Sequence, residues 1–332
     1  MHSQSSQDHR LALVIGADGG IGGEIAQALN AHGWNIRAMT RRSDAGAASN
    51  DWRGPIAWVR GDAMLGDDVV AAAEGTSLIA HAANPPGYQN WRGLAVPMLA
   101  NAIAAAKTSG ARLMFPGNVY NYGPDAFPLL QETSPQHPLT QKGQVRVEME
   151  TMLRAATNDD VRSVIIRAGD FFGPHQPASW FKSLMISPGK PVTTVIYPGD
   201  RDSGHAWAYL PDLAETFARI ADREGELPAF DSFHFGGHWI GHGVDFADAI
   251  RRAGGHPKAA IRSLPLWFHL ATPFVGFLRE AREMRYLWQS PVRLDNAKLT
   301  AFLGAEPHTP LDAALALTLR ELGCLAPEAV AA

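Results

Sequence analysis

Three glycines, Gly16, Gly19 and Gly22, recur at a three-residue spacing just after the apolar run Leu11 to Ile15, and Ile25, Ala26 and Leu29 follow at helical spacing. An apolar run of strand length that breaks into glycines and reopens as an amphipathic helix predicts a strand-turn-helix unit. Chemically, that unit is a phosphate cradle. Glycine lets the backbone turn tightly and pass close to a pyrophosphate, while free N–H groups and the positive dipole end of the helix attract its charge. Gly20 and Ile21 belong to the same cradle. The spacing G-x-x-G-x-x-G departs from the commoner G-x-G-x-x-G dinucleotide fingerprint.

The end of the next strand bears on the choice of nucleotide. An NAD site usually places an acidic side chain there for the ribose 2′-hydroxyl. This chain reads Met39-Thr40-Arg41-Arg42 and offers no carboxylate at that point. Two guanidinium groups suit a 2′-phosphate, so NADP is the expected cofactor and NAD the alternative. The competing reading makes Arg41 and Arg42 solvated loop charges, one of them neutralised by Asp44.

The chain has 332 residues, a formal net charge of -4 and 19% charged residues, with no basic block. Such a balance argues against nucleic acid as the main partner and leaves a small-molecule substrate. The length suggests a second, smaller lobe. The lone Cys324 excludes an internal disulfide, and the polar start MHSQSSQDHR has no apolar export segment. Both features fit a cytoplasmic protein. Leu264 to Leu278 is apolar but shorter than a membrane span and interrupted by Pro265, His269 and Pro273, so no membrane association is expected.

Strand and helix signals alternate behind the cradle. Strands are expected over 34–40, 56–60, 77–82, 111–116 and 161–168, with helices over 67–74, 93–107 and 140–155. Alternation of this kind implies parallel pairing and an α/β fold, a Rossmann-type doubly wound parallel sheet. Beyond Phe172 the pattern loosens and aromatics accumulate, which points to a smaller C-terminal α+β substrate lobe. The expected organisation is a polar tail (1–10), a nucleotide-binding domain (11–174), a mixed segment whose helix 212–222 returns to it (175–225) and a substrate lobe (226–332). The crevice between lobes is the default substrate site. Phe171, His175, Trp180, Trp207 and Tyr209 could line it and favour an apolar substrate, although large aromatics also build cores. His238 and His242 stand four apart in a glycine-rich stretch that cannot place both on one helix face, and no metal site is expected.

Taken together, several motifs resemble the extended short-chain dehydrogenase/reductase superfamily, the NAD-dependent epimerase/dehydratase family. They are the three glycines, Gly61-Asp62, His81-Ala82-Ala83-Asn84, Asn121-Tyr122-Gly123-Pro124, Arg167 to Pro174 (RAGDFFGP) and Tyr209 to Ala214 (YLPDLA). The resemblance spans most of Leu11 to Ile220. It implies that Asp62, with Ala63, meets the adenine, that Ala82, Ala83 and Asn84 line the cofactor crevice, and that the segment Ala168 to Phe171, Gly169 included, passes beside the nicotinamide. Asn84 and Tyr120 would also face substrate. A homodimer built through the long helices is common in the family. Asp62 is equally readable as a turn residue, and Asp212 as the N-cap of its helix.

The departures concern the catalytic set. The family's Ser or Thr, Tyr and Lys positions fall here on Asn118, Lys142 and Arg146. Lys142 and Arg146 share a helix face at i and i+4, where repulsion between like charges should lower the Lys142 pKa toward the range useful for proton transfer. Arg146 can hydrogen-bond ribose hydroxyls, and the Asn118 amide can donate to a carbonyl oxygen. Two readings stay open. One is an NADP- or NAD-dependent oxidoreductase or epimerase that moves hydride between the nicotinamide and a carbonyl or carbinol carbon; the other is a catalytically silent NADP(H)-binding sensor. For the replacement residues themselves, the competing view is that Lys142, Arg146 and Glu150 form a solvated i, i+4 charge ladder.

Overall fold

In chain order, the strands of the computed structural model are β1 (Leu11–Ile15), β2 (Asn35–Thr40), β3 (Ile56–Arg60), β4 (Leu78–His81), β5 (Arg112–Asn118), β6 (Leu129–Leu130) and β7 (Ser163–Ala168). They continue as β8 (Asp170–Phe172), β9 (Thr194–Tyr197), β10 (His205–Tyr209), β11 (Phe230–His234), β12 (His238–Ile240), β13 (Ala260–Ser263) and β14 (Arg293–Leu294). The helices are α1 (Gly20–Ala31), α2 (Gly66–Ala72), α3 (Trp91–Ser109), α4 (Gln141–Ala155), α5 (Leu210–Asp222), α6 (Gly243–Ala253), α7 (Ala297–Leu303) and α8 (Leu311–Glu321). The structure describes residues 10–42, 54–85, 90–176, 179–264 and 283–325. The apolar segment 264–278 and the connection holding Asp44 therefore lie largely outside the described residues.

Seven strands form one sheet in the order β3-β2-β1-β4-β5-β7-β11, and every neighbouring pair is parallel. From β1 the chain builds outward through β2 and β3, then returns to the other side of β1 with β4. That reversal opens a crevice at the carboxyl ends of β1 and β4, where Ile15 is in register with His81. Successive residues of the central strands point to opposite faces, so each face has its own core. Leu13, Ile79, Leu113 and Phe115 pack with Val69, Leu99 and Met149 of α2, α3 and α4. Ala12, Val14, Leu78 and Met114 pack with Ile25, Leu29, Leu213 and Phe217 of α1 and α5. Helix α5 thus packs beside α1 on the same face of the main sheet.

Three details differ. The strand 230–234, assigned by sequence to the smaller lobe, is β11, the edge strand of the main sheet beside β7. Asp212 is not an N-cap: Tyr209 holds that place and Asp212 lies inside α5, where its carboxylate accepts from the Thr309 N–H (2.6 Å) and Oγ1 (2.7 Å). The expected helix at 180–185 is a single π turn over Phe181–Met185. Around the main sheet, β8 and β12 flank β10, β9 pairs with β13, and β6 pairs with β14.

A buried polar network ties α4 to β7 and β11. The Arg167 guanidinium donates to both Glu150 oxygens, at 2.7 to 3.2 Å, and to His234 Nε2 at 3.2 Å. The Tyr122 hydroxyl also donates to that nitrogen (3.1 Å), while His234 Nδ1–H donates to the Leu130 carbonyl (3.1 Å). Burial, and then the Arg167 charge, push the His234 pKa down to about 3, which keeps the ring neutral as these bonds require. Removing one partner of a buried pair strands the other charge. Arg167→Ala is accordingly expected to cost about 3–5 kcal/mol in urea unfolding, and a loss below about 1 kcal/mol, the range of an exposed pair, would contradict this anchoring role.

Candidate active site

The cradle forms where β1 meets α1. Gly16 has φ +91°, and a Cβ on Gly22 would sit 2.2 Å from the Gly16 carbonyl oxygen, so the helix can seat this close only without a side chain there. Gly19 occupies the N-cap position, provides no side-chain cap and is followed by no acidic residue in the first turn. The N–H groups of Gly20, Ile21 and Gly22 thus stand at the crevice end with no side-chain cap and no carboxylate in that turn. One turn later Glu24 is only 2% exposed, with His175 Nδ1 3.3 Å from its carboxylate. Burial pushes its pKa up to about 8.

At the end of β2, Arg41 and Arg42 are exposed, and the Arg42 N–H donates to Thr40 Oγ1 (3.3 Å). The expectation that no carboxylate reaches this point is corrected. Thr40 Oγ1 donates to Asp18 Oδ2 at 2.8 Å, so an acidic side chain of the glycine loop reaches the end of β2. Sequence distance hid it, because Asp18 comes from the turn after β1. Asp62 acts as a turn residue, its Oδ1 accepting from the Met64 N–H (3.0 Å), and is half-buried just after β3 beside the buried Ala63.

The cleft beyond the sheet is walled by Ile21, Ala82, Ala83 and Asn84 on the cradle side, and by Asn118, Tyr120 and Arg146 opposite. Ala168, Gly169, Phe171 and Trp180 close a third wall. The sequence expectations for these residues come together here. The side chain of Asn118 accepts from the Tyr120 N–H through Oδ1 (3.0 Å), which leaves Nδ2 as its donor. Tyr120 stacks on Trp91, with ring centroids 6.4 Å apart.

Helix α4 delivers the two cations. Thr140 Oγ1 caps it by accepting from the Gly143 N–H (3.0 Å). A Cβ on Gly143 would lie 2.3 Å from the Tyr120 carbonyl oxygen, so glycine is what lets the helix press against the loop after β5. The first turns are buried as a result: Lys142 is 4% exposed and Arg146 9%. Arg146 stacks its guanidinium over Trp91 (4.9 Å) and Phe115 (5.3 Å) and donates to the Pro116 carbonyl (3.4 Å). Lys142 Nζ stands 5.9 Å from the Trp91 ring centroid, and Lys142 is not among the residues that line the cleft. The solvated charge ladder is overturned, since Glu150 is also buried and paired with Arg167.

Two expected substrate residues fall elsewhere. Trp207 is fully buried in an aromatic core, its ring 4.2 Å from that of Phe246, because β10 aims it inward. His175 turns away to Glu24 and Glu321. Conversely, His81, Phe115 and Trp91 line the cleft although no site role is expected of them from sequence, and Asp170 lines it between Gly169 and Phe171, within the segment expected beside the nicotinamide. His81, the first residue of the His81-Ala82-Ala83-Asn84 motif, is fully buried beneath the cleft, a place set by the register of β4 with β1. Burial, and then Arg146, lower its pKa to about 3, so it is a neutral ring. Among the described residues, no group of three or more His, Cys, Asp or Glu is placed to hold a metal, and no helix is long and apolar enough to cross a membrane.

A glycine-rich turn at the switch point of a parallel sheet in this strand order defines a Rossmann-type protein. The chain belongs to the NAD dependent epimerase/dehydratase family, whose model matches residues 12–234. It is similar to the "Uncharacterized protein y4nL" of Sinorhizobium fredii (strain NBRC 101917 / NGR234), at 30% identity over 238 residues, 64% of each chain. The chain thus spans under two thirds of that relative's length. Among solved structures it resembles the UDP-glucose 4-epimerase of Bifidobacterium longum in complex with NAD+ and UDP (TM-score 0.73, 16% identity, 94% of this chain and 97% of that one). It likewise resembles the UDP-glucuronic acid 4-epimerase of Bacillus cereus in complex with UDP-glucuronic acid and NAD (TM-score 0.72, 16% identity, 94% and 98%).

The buried Glu24 gives a test in pH. Its folded pKa of about 8 lies above the unfolded value of 4.5, so between them the folded chain holds a proton that the unfolded chain has lost. Stability therefore falls as pH rises through that window, by up to about 5 kcal/mol. Glu24→Gln should flatten the fall, leaving stability near pH 5 little changed and raising it at pH 8.5. Parallel urea titrations of both proteins at the two pH values check this, and equal pH slopes would contradict it.

Proposed function

We propose that this protein binds NADP, or alternatively NAD, across the switch point and catalyses hydride transfer to or from a carbonyl or carbinol carbon of a small, apolar-leaning substrate. The observation that carries the reading is that Arg146 and the Asn118 amide line one cleft beyond the glycine turn, with Lys142 buried one turn before Arg146 on the same helix. The cradle fits a diphosphate, because the first-turn N–H groups of α1 have neither side-chain cap nor acidic competitor. Gly16, Gly19, Gly20, Ile21 and Gly22 would hold the diphosphate, Arg41 and Arg42 a 2′-phosphate, and Asp62 and Ala63 the adenine. Ala82, Ala83 and Asn84 would form one wall of the nicotinamide site, with Ala168, Gly169 and Phe171 facing them. When bound, the nicotinamide supplies or accepts the hydride.

The chain's own groups do the rest. Asn118 Nδ2 donates to the substrate oxygen and stabilises charge that develops there. Arg146, fixed over two rings, bonds ribose hydroxyls and so orients the nicotinamide. Lys142 holds the proton that passes to or from the substrate oxygen. Tyr120, Asn84 and Trp180 contact substrate, and the protein works in the cytoplasm as a homodimer. One observation favours the silent NADP(H)-binding alternative: Lys142 is buried and is not among the residues that line the cleft.

Steady-state oxidation of NADPH and NADH over a panel of aldehydes, ketones and sugar nucleotides separates the two. Lys142→Ala is expected to lower kcat about 100-fold or more while cofactor binding is kept. Tight cofactor binding without turnover of any compound would instead support the silent binder.

A further inference from the structure

The cleft wall carries a carboxylate that the proposed hydride-transfer set does not use. Asp170, on β8, lines the cleft beside Gly169 and Phe171. Its Oδ2 lies 2.8 Å from His205 Nε2, which is therefore the donor of that bond. His205 stands on the adjacent strand β10, paired in parallel with β8 so that Trp207 is opposite Asp170. The imidazole is held in place on two sides. It stacks on Trp288, with centroids 4.3 Å apart and planes at 27°, and meets Trp207 edge-on at 5.2 Å. A buried ring wedged in this way can present its N–H in one direction only, and that direction is the carboxylate. Asp170 Oδ1 has no hydrogen-bond partner among the described residues, and it is the oxygen left for a ligand.

The other charged and titratable groups near this point are engaged elsewhere. Tyr197 is a neutral phenol behind it, held high mainly by burial. Arg146, on a different wall, is committed to Trp91, Phe115 and the Pro116 carbonyl. Lys182 Nζ donates to the Gln176 carbonyl at 2.9 Å. Trp180 and Phe171 supply an apolar flank next to the carboxylate.

We infer that Asp170, positioned by His205, is a specificity determinant that selects a substrate with an apolar body and a hydrogen-bond-donating head, an ammonium above all, and disfavours an anionic head. A carboxylate paired with a cation in a partly desolvated site gains a charge-assisted bond, whereas an anion at the same place meets like charge. The inference rests on the reading of the cleft as the substrate site. It requires no turnover, so its failure can be told apart from a failure of hydride transfer.

The probes are benzylamine, benzyl alcohol and benzoate, titrated by saturation-transfer NMR against the full chain with NADP+ present. The wild-type protein is expected to bind benzylamine at least about tenfold more tightly than benzoate, with benzyl alcohol between them. Asp170→Asn, nearly the same shape, should reduce that preference to about threefold or less. His205→Gln keeps the carboxylate but loosens it, and should lower the preference by at least about threefold. Equal affinity for benzoate and benzylamine, no binding of benzylamine, or an undiminished preference in Asp170→Asn would overturn the inference.

Discussion

The site depends on one close approach, the seating of α1 against the end of β1 at Gly22 and Gly16. A helix held that near a strand end aims its first N–H groups into the crevice at the switch point, and no side chain or ordinary cap intervenes. A single methyl at Gly22 would meet a backbone oxygen, which cannot move aside as a flexible side chain can. The strand order then decides where this cradle faces. Because the chain reverses at β1, the carboxyl ends of β4, β5 and β7 deliver Ala82, Asn118 and Ala168 to the same cleft.

The opposite wall obeys a second close approach, that of α4 at Gly143. It buries two cations of like charge one turn apart, an arrangement that surface physics would disfavour. Aromatic faces and a backbone carbonyl receive Arg146, and Glu150, two turns beyond Lys142, is taken up by Arg167. The helix is thus anchored at its far end by a neutral-sum network and presents Arg146 to the cleft. Preorganisation of this kind costs stability where charge is desolvated and offers a fixed electrostatic environment in return.

Much of this was legible in the sequence, and the exceptions have physical reasons. The strand-glycine-helix unit, the parallel alternation and the helix bearing Lys142 and Arg146 follow from periodicity, because long elements repeat their signal. Strands of two or three residues such as β6, β12 and β14 are too short to show a period. The same pattern could not tell that β11 rejoins the main sheet, since pairing partners lie far apart in sequence. Nor could it distinguish Trp207, aimed into the core, from Trp180, aimed into the cleft. Asp18 at β2, His205 on Asp170 and Glu24 beneath His175 are contacts between elements, visible only once the chain is folded. The absence of a carboxylate after β2 held along the chain but not in space.

The most direct measurement is isothermal titration calorimetry of the purified chain with NADP+ and with NAD+. The account predicts one site per chain with a dissociation constant on the order of micromolar for at least one nucleotide, about -8 kcal/mol, and loss of that binding in Gly22→Ala with the fold retained by circular dichroism. No heat of binding with either nucleotide, or unchanged affinity in Gly22→Ala, would contradict the cradle as the organising element.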